Sequence, residues 1–139
     1  MGCTNSLRSS SLYSSSPVGY AKQADFINCV LQVQVVGDAE YFFKQLQEIE
    51  ISLGRARNPD NQYAARTIDI DLLLFGDVCI NAPQLIVPHP RLIGRLFVVK
   101  PLLELYPQIT IPGQGGLADL LQKGQDEDVF SGQIIHKLA

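Results

Sequence analysis

Two aspartates, Asp69 and Asp71, open the run Arg66-Thr67-Ile68-Asp69-Ile70-Asp71-Leu72-Leu73-Leu74-Phe75-Gly76, which otherwise reads as a buried strand. Side chains alternate across a strand. Both carboxylates therefore point one way, with Cα atoms roughly 6.5–7 Å apart, while Ile68, Ile70, Leu72 and Leu74 fill the opposite face. Like charges at that spacing raise one another's pKa unless a cation lies between them. Paired hard oxygen ligands suit Mg²⁺, which keeps several waters and bridges to substrate phosphates. The competing reading is a pair of exposed acids at a strand end, salt-bridged to Arg66, and Asp-x-Asp is too short a pattern to decide between them.

The surrounding cations give the pair a context. Arg57 and Arg66 flank a loop, residues 55–66, that is too polar and too rich in Pro and Asn for a core element and leads straight into the acids. Arg91 and Arg95 follow His89 in and after Val87-Pro88-His89-Pro90-Arg91, a rigid turn because both prolines fix φ. Cations from two loops could thus converge on a polyphosphate held by a metal at Asp69 and Asp71. Phosphoryl transfer needs this apparatus, since it depends on positioning and charge neutralisation more than on covalent catalysis. Taken singly, each arginine reads as a solvated surface charge, and that reading is preferred for Arg55 and Arg91.

The elements that must position these groups follow from periodicity. Phe26 to Val36 alternates as a strand, with Phe26, Asn28, Val30, Gln32 and Gln34 on one face. Asp38 can cap a helix over residues 39–53, where Phe42, Leu46, Ile49 and Leu53 recur at three- and four-residue steps until Gly54 ends it. Leu7 to Tyr13 fits an edge strand, and Gly76-Asp77 with Asn81-Ala82-Pro83 fits a small hairpin. Leu92 to Leu105 is expected to be helical in parts, broken at Pro101, and a weak helix is expected around Leu117 to Gln122. The order strand, strand, helix, strand indicates an α+β sandwich, an antiparallel sheet covered by helices.

Composition bounds the function classes. A chain of 139 residues can form one domain with a sizeable core. With 11 basic and 14 acidic residues the net charge is −3, which argues against a general nucleic-acid or membrane-surface binder, so any phosphate site must be local. Cys3, Cys29 and Cys79 are odd in number and form no zinc pattern with His89 and His136, as expected in a reducing cytoplasm. No run of roughly 18 apolar residues is present, and a cytoplasmic protein is expected. Met1-Gly2-Cys3-Thr4-Asn5-Ser6 matches the short pattern for myristoylation, with Cys3 placed for a second acyl chain.

These residues resemble the 6-hydroxymethyl-7,8-dihydropterin pyrophosphokinase family. The resemblance rests on Leu53-Gly54-Arg55-x-Arg57, on Arg66-x-x-Asp69-Ile70-Asp71-Leu72-Leu73-Leu74-Phe75-Gly76, on Val87-Pro88-His89-Pro90-Arg91-Leu92 and on Arg95-x-Phe97-Val98-Val99-x-Pro101-Leu102. Ser10-x-x-Tyr13-x-Ser15-x-Pro17-x-Gly19 and Asp25-Phe26-Ile27-Asn28 extend it over about residues 9–112. It implies transfer of pyrophosphate from ATP to 6-hydroxymethyl-7,8-dihydropterin in folate biosynthesis. Asp69 and Asp71 would hold two Mg²⁺ ions with ATP. Arg57 and Arg66 would be the catalytic cations, and His89 and Arg95 would add phosphate contacts. Gln47 and Glu50, a turn apart on the helix, would serve the nucleotide. Phe26 and Phe97 would sandwich the pterin, Asn28 would bond its edge, and Ser15 to Val18 would supply backbone contacts. For both phenylalanines the alternative is core packing.

The chain departs from the family in two places. Members usually begin with a strand ending in Gly-Ser-Asn and a long helix, whereas this chain begins at what should be the second strand. The resemblance therefore implies a ferredoxin-like βαββαβ sandwich apparently missing its first β-α unit, an expectation that carries marginal stability and a tendency to self-association. Where the family usually has Arg-Trp-Gly-Pro-Arg, this chain has Gln62-Tyr63-Ala64-Ala65-Arg66, and glutamine cannot offer phosphate a charged fork. The alternatives to a working enzyme are a catalytically weak fragment or a nucleotide- and pterin-binding module derived from the family. A ferredoxin-like RNA-binding module lacks the basic aromatic sheet face that role needs.

Overall fold

The computed structural model of the protein describes residues 3–16, 26–54 and 68–138. Among the described residues twelve elements follow one another: β1 (Cys3–Ser9), β2 (Tyr13–Ser15), β3 (Phe26–Asn28), β4 (Leu31–Val35), α1 (Ala39–Ser52), β5 (Ile80–Ala82), β6 (Leu85–Val87), α2 (Leu96–Leu105), β7 (Thr110–Ile111), β8 (Gly115–Gly116), α3 (Leu117–Asp126) and β9 (Ile135–Lys137). All five pairings among the described strands are antiparallel: β1 with β4, β2 with both β3 and β9, β5 with β6, and β7 with β8. Strands and helices in these proportions give the α+β class expected from the sequence.

The strand expected over Phe26 to Val36 is two strands in two sheets, and Ser10 is the reason. Its N–H donates to the Val30 carbonyl at 2.9 Å, and its hydroxyl oxygen accepts from the Val30 N–H at 2.9 Å. A side-chain oxygen thus replaces one rung of the ladder, and the pairing of β4 with β1 is separated from that of β3 with β2. Leu7 and Leu31 remain on the surface of the β1–β4 pair, 62% and 57% exposed.

Helix α1 starts where Asp38 accepts the Tyr41 N–H at 2.8 Å, a side-chain cap for one of the donors left over at a helix N-terminus. The break expected at Pro101 is absent, because α2 runs through it. An internal proline costs about 3 kcal/mol. Burial of Val98, Val99, Leu102 and Leu105 on the same helix, at about 1.5–3 kcal/mol for each such side chain, outweighs that cost. At the other end of α2, Arg8 donates to the Leu105 carbonyl at 3.0 Å and lies 4.7 Å from the centroid of the Tyr106 ring. Helix α3 extends four residues past the expected Gln122. There the absence of a side chain on Gly124 admits the Phe130 ring, which would lie 2.6 Å from a Cβ.

Among the described residues two apolar clusters form the core. Val30, Leu92, Val98, Val99, Leu102, Leu105, Ile111 and Leu117 make the first, and Ala39, Phe42, Leu72, Leu85 and Val87 the second. The acid-bearing segment joins them. No strand is assigned to Ile68–Phe75, contrary to expectation. Leu72 enters the second cluster whereas Leu73 and Leu74 pack on the first, which strict alternation forbids. Its backbone is held by other means: the Leu73 carbonyl accepts the His89 N–H at 2.9 Å, and Phe75 packs on Phe42 with ring centroids 6.4 Å apart. No helix among the described residues is long and apolar enough to cross a membrane.

The Glu104 carboxylate ties α2 to the central strand β2. It accepts the Tyr13 hydroxyl at 2.6 Å and, from Ser11, the N–H at 2.7 Å and the hydroxyl at 3.1 Å, with Lys137 of β9 at 3.8 Å. The Tyr13 hydrogen bond foremost, then Ser11, holds the Glu104 carboxyl below its ordinary range. Burial, aided by Glu104, pushes the Tyr13 phenol up to about 12. An acid depressed in the folded state stabilises above its ordinary pKa, and that stability is lost as pH falls through the depressed value. A phenol raised in the folded state stabilises below its ordinary pKa of 10.0, and that stability is lost as pH climbs towards 12. The expected melting temperature is therefore flat near neutrality and falls at both ends. Glu104→Gln should flatten the acid limb, and an unchanged acid limb in that variant would contradict this role.

Candidate functional site

Residues from α1, the acid-bearing segment and the turn before α2 surround a cavity of about 380 Å³, lined among the described residues by Phe43, Gln47, Glu50, Asp69, Ile70, Asp71, Arg91 and Arg95. Phe43, Gln47 and Glu50 share a stripe of α1 because they are spaced by four and three residues. Glu50 is only 4% exposed, and its carboxylate accepts the Ile70 N–H at 2.6 Å. That bond fixes the backbone between the two aspartates, so a helix side chain sets where both acids point. Asp71 lies 3.8 Å from the Arg95 guanidinium in a half-exposed pair, which contributes little to stability in such surroundings.

The cations of this cavity are held close to one another. Burial and Arg91 both push the Arg95 guanidinium below its ordinary value, and Asp71 offsets them only in part. His89 is likewise driven below its ordinary pKa, first by burial, with Arg95 and Arg91 adding to it and Asp71 opposing. Its Nδ1 accepts the Arg91 N–H at 3.1 Å, which leaves the proton of the neutral ring on Nε2. Crowded guanidiniums beside a neutral imidazole favour an anionic ligand.

A second cavity, of about 200 Å³, adjoins through Arg95 and is lined by Ser15, Ser16, Phe26, Arg95, Leu96, Phe97, Gln133, Ile134 and Ile135. Phe26 is 56% exposed although apolar. The Arg95 guanidinium stands 5.4 Å from the Phe97 ring centroid, within cation–π reach. Arg95 thus lines both cavities.

Most of the expected site residues meet here. Gln47, Glu50, Asp69, Asp71 and Arg95 line the first cavity, and Ser15, Phe26 and Phe97 the second. His89 lines neither, reaching the site through its bond with Arg91. Asn28 pairs with Tyr13 across β2–β3 and is also outside both linings. Arg57, Arg66 and Val18 lie outside the described residues. Arg91, read from sequence as surface charge, lines the first cavity, and the rigidity of its flanking Pro-His-Pro turn was the available signal. Gln133 to Ile135 carry no such signal, being far along the chain from every motif.

Oxygen donors suited to Mg²⁺ are present as a pair. Among the described residues no group of three or more His, Cys, Asp or Glu side chains could hold a metal. An ion at Asp69 and Asp71 would complete its octahedron with water and phosphate, a shell that Mg²⁺ accepts more readily than metals bound by all-protein cages. The residues fit the ion.

Fold and site together define an α+β protein with a cavity lined by acids and guanidiniums, joined by one arginine to an aromatic cavity. The chain belongs to the 7,8-dihydro-6-hydroxymethylpterin-pyrophosphokinase family, whose model matches residues 2–107. It is 42% identical over 100 residues to the 2-amino-4-hydroxy-6-hydroxymethyldihydropteridine pyrophosphokinase of Bacillus subtilis, a match covering 72% of this chain and 59% of that one. Identity to the folic acid synthesis protein of Pneumocystis carinii is 38% over 124 residues, 88% of this chain and 16% of that protein. The Pseudomonas aeruginosa pyrophosphokinase is 38% identical over 112 residues, 81% of this chain and 68% of that one. The match thus spans less than two thirds of the first two of these relatives.

Glu50→Ala would leave the Ile70 N–H without its acceptor, a loss of about 1–3 kcal/mol. The expected result is a lower melting temperature together with weaker MgATP binding in calorimetry. A variant that melts lower but binds MgATP as tightly as the parent would show that Glu50 does not aim the aspartates.

Proposed function

We propose that the chain transfers pyrophosphate from ATP to the hydroxymethyl group of 6-hydroxymethyl-7,8-dihydropterin in folate biosynthesis, in the cytoplasm and with Mg²⁺. The observation that carries this reading is Arg95, shared by a cavity rich in charge and a cavity lined by two phenylalanines. A polyphosphate in the first and a flat heterocycle in the second would meet at its guanidinium. The pterin oxygen attacks the β-phosphorus, the bond from the bridging oxygen to that phosphorus breaks, AMP leaves, and the hydroxyl proton passes to solvent or phosphate. Asp69 and Asp71 would hold Mg²⁺, which would neutralise phosphate charge. Arg91 and Arg95 add fixed positive charge, Gln47 lies on the nucleotide side, and Phe26 with Phe97 holds the ring so that its alcohol faces the phosphates. Such positioning is most of what phosphoryl transfer requires. The roles of Arg57 and Arg66 rest on their motif.

A ferredoxin-like arrangement is the finer fold reading, supported by the order strand, strand, helix, acid-bearing segment. The second functional reading is a binding module with weak turnover, favoured by Gln62 where the family usually has arginine.

The Asp69→Ala, Asp71→Ala double variant should bind MgATP at least tenfold more weakly in calorimetry while binding pterin normally. Equal MgATP affinity would remove the metal role. For the second cavity, the parent should quench pterin fluorescence. Phe26→Ala and Phe97→Ala should each weaken pterin binding about fivefold or more, the loss expected of one stacking contact of about 1 kcal/mol. AMP release by the parent separates the enzyme from the binding module.

A further inference from the structure

Helix α2 begins without a cap of its own. Its N-cap residue is Arg95, which makes no side-chain capping bond because its guanidinium reaches instead towards Asp71 and the Phe97 ring. A guanidinium is in any case only a donor and cannot accept the free N–H groups of the first turn. The missing acceptor comes from the far end of the chain. Gln133 Oε1 accepts the Leu96 N–H at 3.0 Å, and Gln133 Nε2 donates to the Gly94 carbonyl at 2.9 Å. The two bonds bracket Arg95 on either side. Gln133 is itself anchored, since its N–H donates to the Phe130 carbonyl at 3.0 Å. The next residue, Ile134, accepts the Ser16 N–H at 3.2 Å beside the β2–β9 pairing.

We infer that Gln133 is a positioning residue for both cavities: its amide clamps the Gly94–Leu96 backbone and thereby aims Arg95 at the phosphate side and Phe97 at the pterin side. The residue lies beyond the stretch 2–107 that matches the family model, so nothing in that match assigns it a part. The role follows from geometry. Arg95 and Phe97 stand two residues apart at the start of one helix, and a rotation of that first turn would displace both together. Hydrophobic packing of Val98 and Val99 holds the helix further along but does not fix its first peptide groups, which Gln133 does.

The inference rests on the proposed pyrophosphoryl transfer, and the test separates the two. In Gln133→Ala, the KM for MgATP and the KM for the pterin should both rise about fivefold or more. A residue with a merely structural part would lower the folded fraction, and with it the apparent kcat, and leave both KM values in place. Values within twofold of the parent, or a rise confined to one substrate, would overturn the shared clamp. If Gln133→Ala does not fold, Gln133→Glu keeps an oxygen for Leu96 and lacks the N–H for Gly94. It should raise both KM values two- to threefold, and unchanged values would again overturn the inference. A parent that releases no AMP would count against the transfer reading instead. The clamp is then judged by amide hydrogen exchange, where Leu96 N–H should exchange at least tenfold faster in Gln133→Ala, and equal exchange would overturn it.

Discussion

Three consecutive leucines hold the site in place. Leu72 is buried in the cluster under α1, and Leu73 with Leu74 packs on the cluster around α2, so the segment that carries Asp69 and Asp71 cannot move without opening both. Leu72 is buried and Leu73 and Leu74 are partly buried, and at about 1.5–3 kcal/mol for a fully buried side chain Leu72 contributes most of this anchoring. Glu50 then acts on a segment already confined. Its bond to the Ile70 N–H sets the direction of the acids, while the leucines set their location. The division is reasonable physically, because apolar burial is non-directional and a hydrogen bond is directional.

Local chemistry was readable from the sequence where one residue type decided the outcome. Asp38 capped α1, Phe42 and Leu46 faced the core as their spacing required, and the paired acids lined a cavity. The failures have physical causes. Ser10 interrupts a strand through its hydroxyl, and a serine at that position gives no sign of whether it will do so. Pro101 was given its local cost without the burial of its helical neighbours, and tertiary packing prevailed. Alternation assumed a regular ladder for Ile68–Phe75, and without one Leu73 and Leu74 turn to the same cluster. Arg91 was judged singly as surface charge, yet a cation earns its place in a site only through neighbours that periodicity cannot supply. Gln133 bonds across 37 and 39 residues to backbone groups, which no motif can anticipate because any residue offers the same N–H and C=O.

The joining of two cavities at Arg95 has a consequence for specificity. A guanidinium is planar and weakly hydrated, so it can face phosphate with its N–H edge while its flat face meets an aromatic ring. Lysine, a compact point charge, could do the first and not the second. On the proposed reading the position is demanding in residue type, whereas Asp71, half exposed and 3.8 Å away, is a weak partner for Arg95 that an anionic ligand would replace at small cost.

The first cavity carries charges of both signs, which bears on the proposed entry of a metal together with a nucleotide. Among the described residues its lining holds two guanidiniums, Arg91 and Arg95, together with Asp69, Asp71 and the buried Glu50, which is already bonded to the Ile70 N–H. A bare polyphosphate would gain from the arginines and be repelled by the aspartates, while a bare divalent ion would meet the converse. A phosphate complex of Mg²⁺ would resolve both conflicts, its cation on the acids and its free oxygens on the guanidiniums. The separation of the acids on one segment from the arginines on the turn before α2 makes that sorting possible. On the proposed reading such an arrangement would discriminate for the complex over either component by opposing charges as much as by attraction, and it would rely on the same anchored backbone that three leucines and Glu50 hold still.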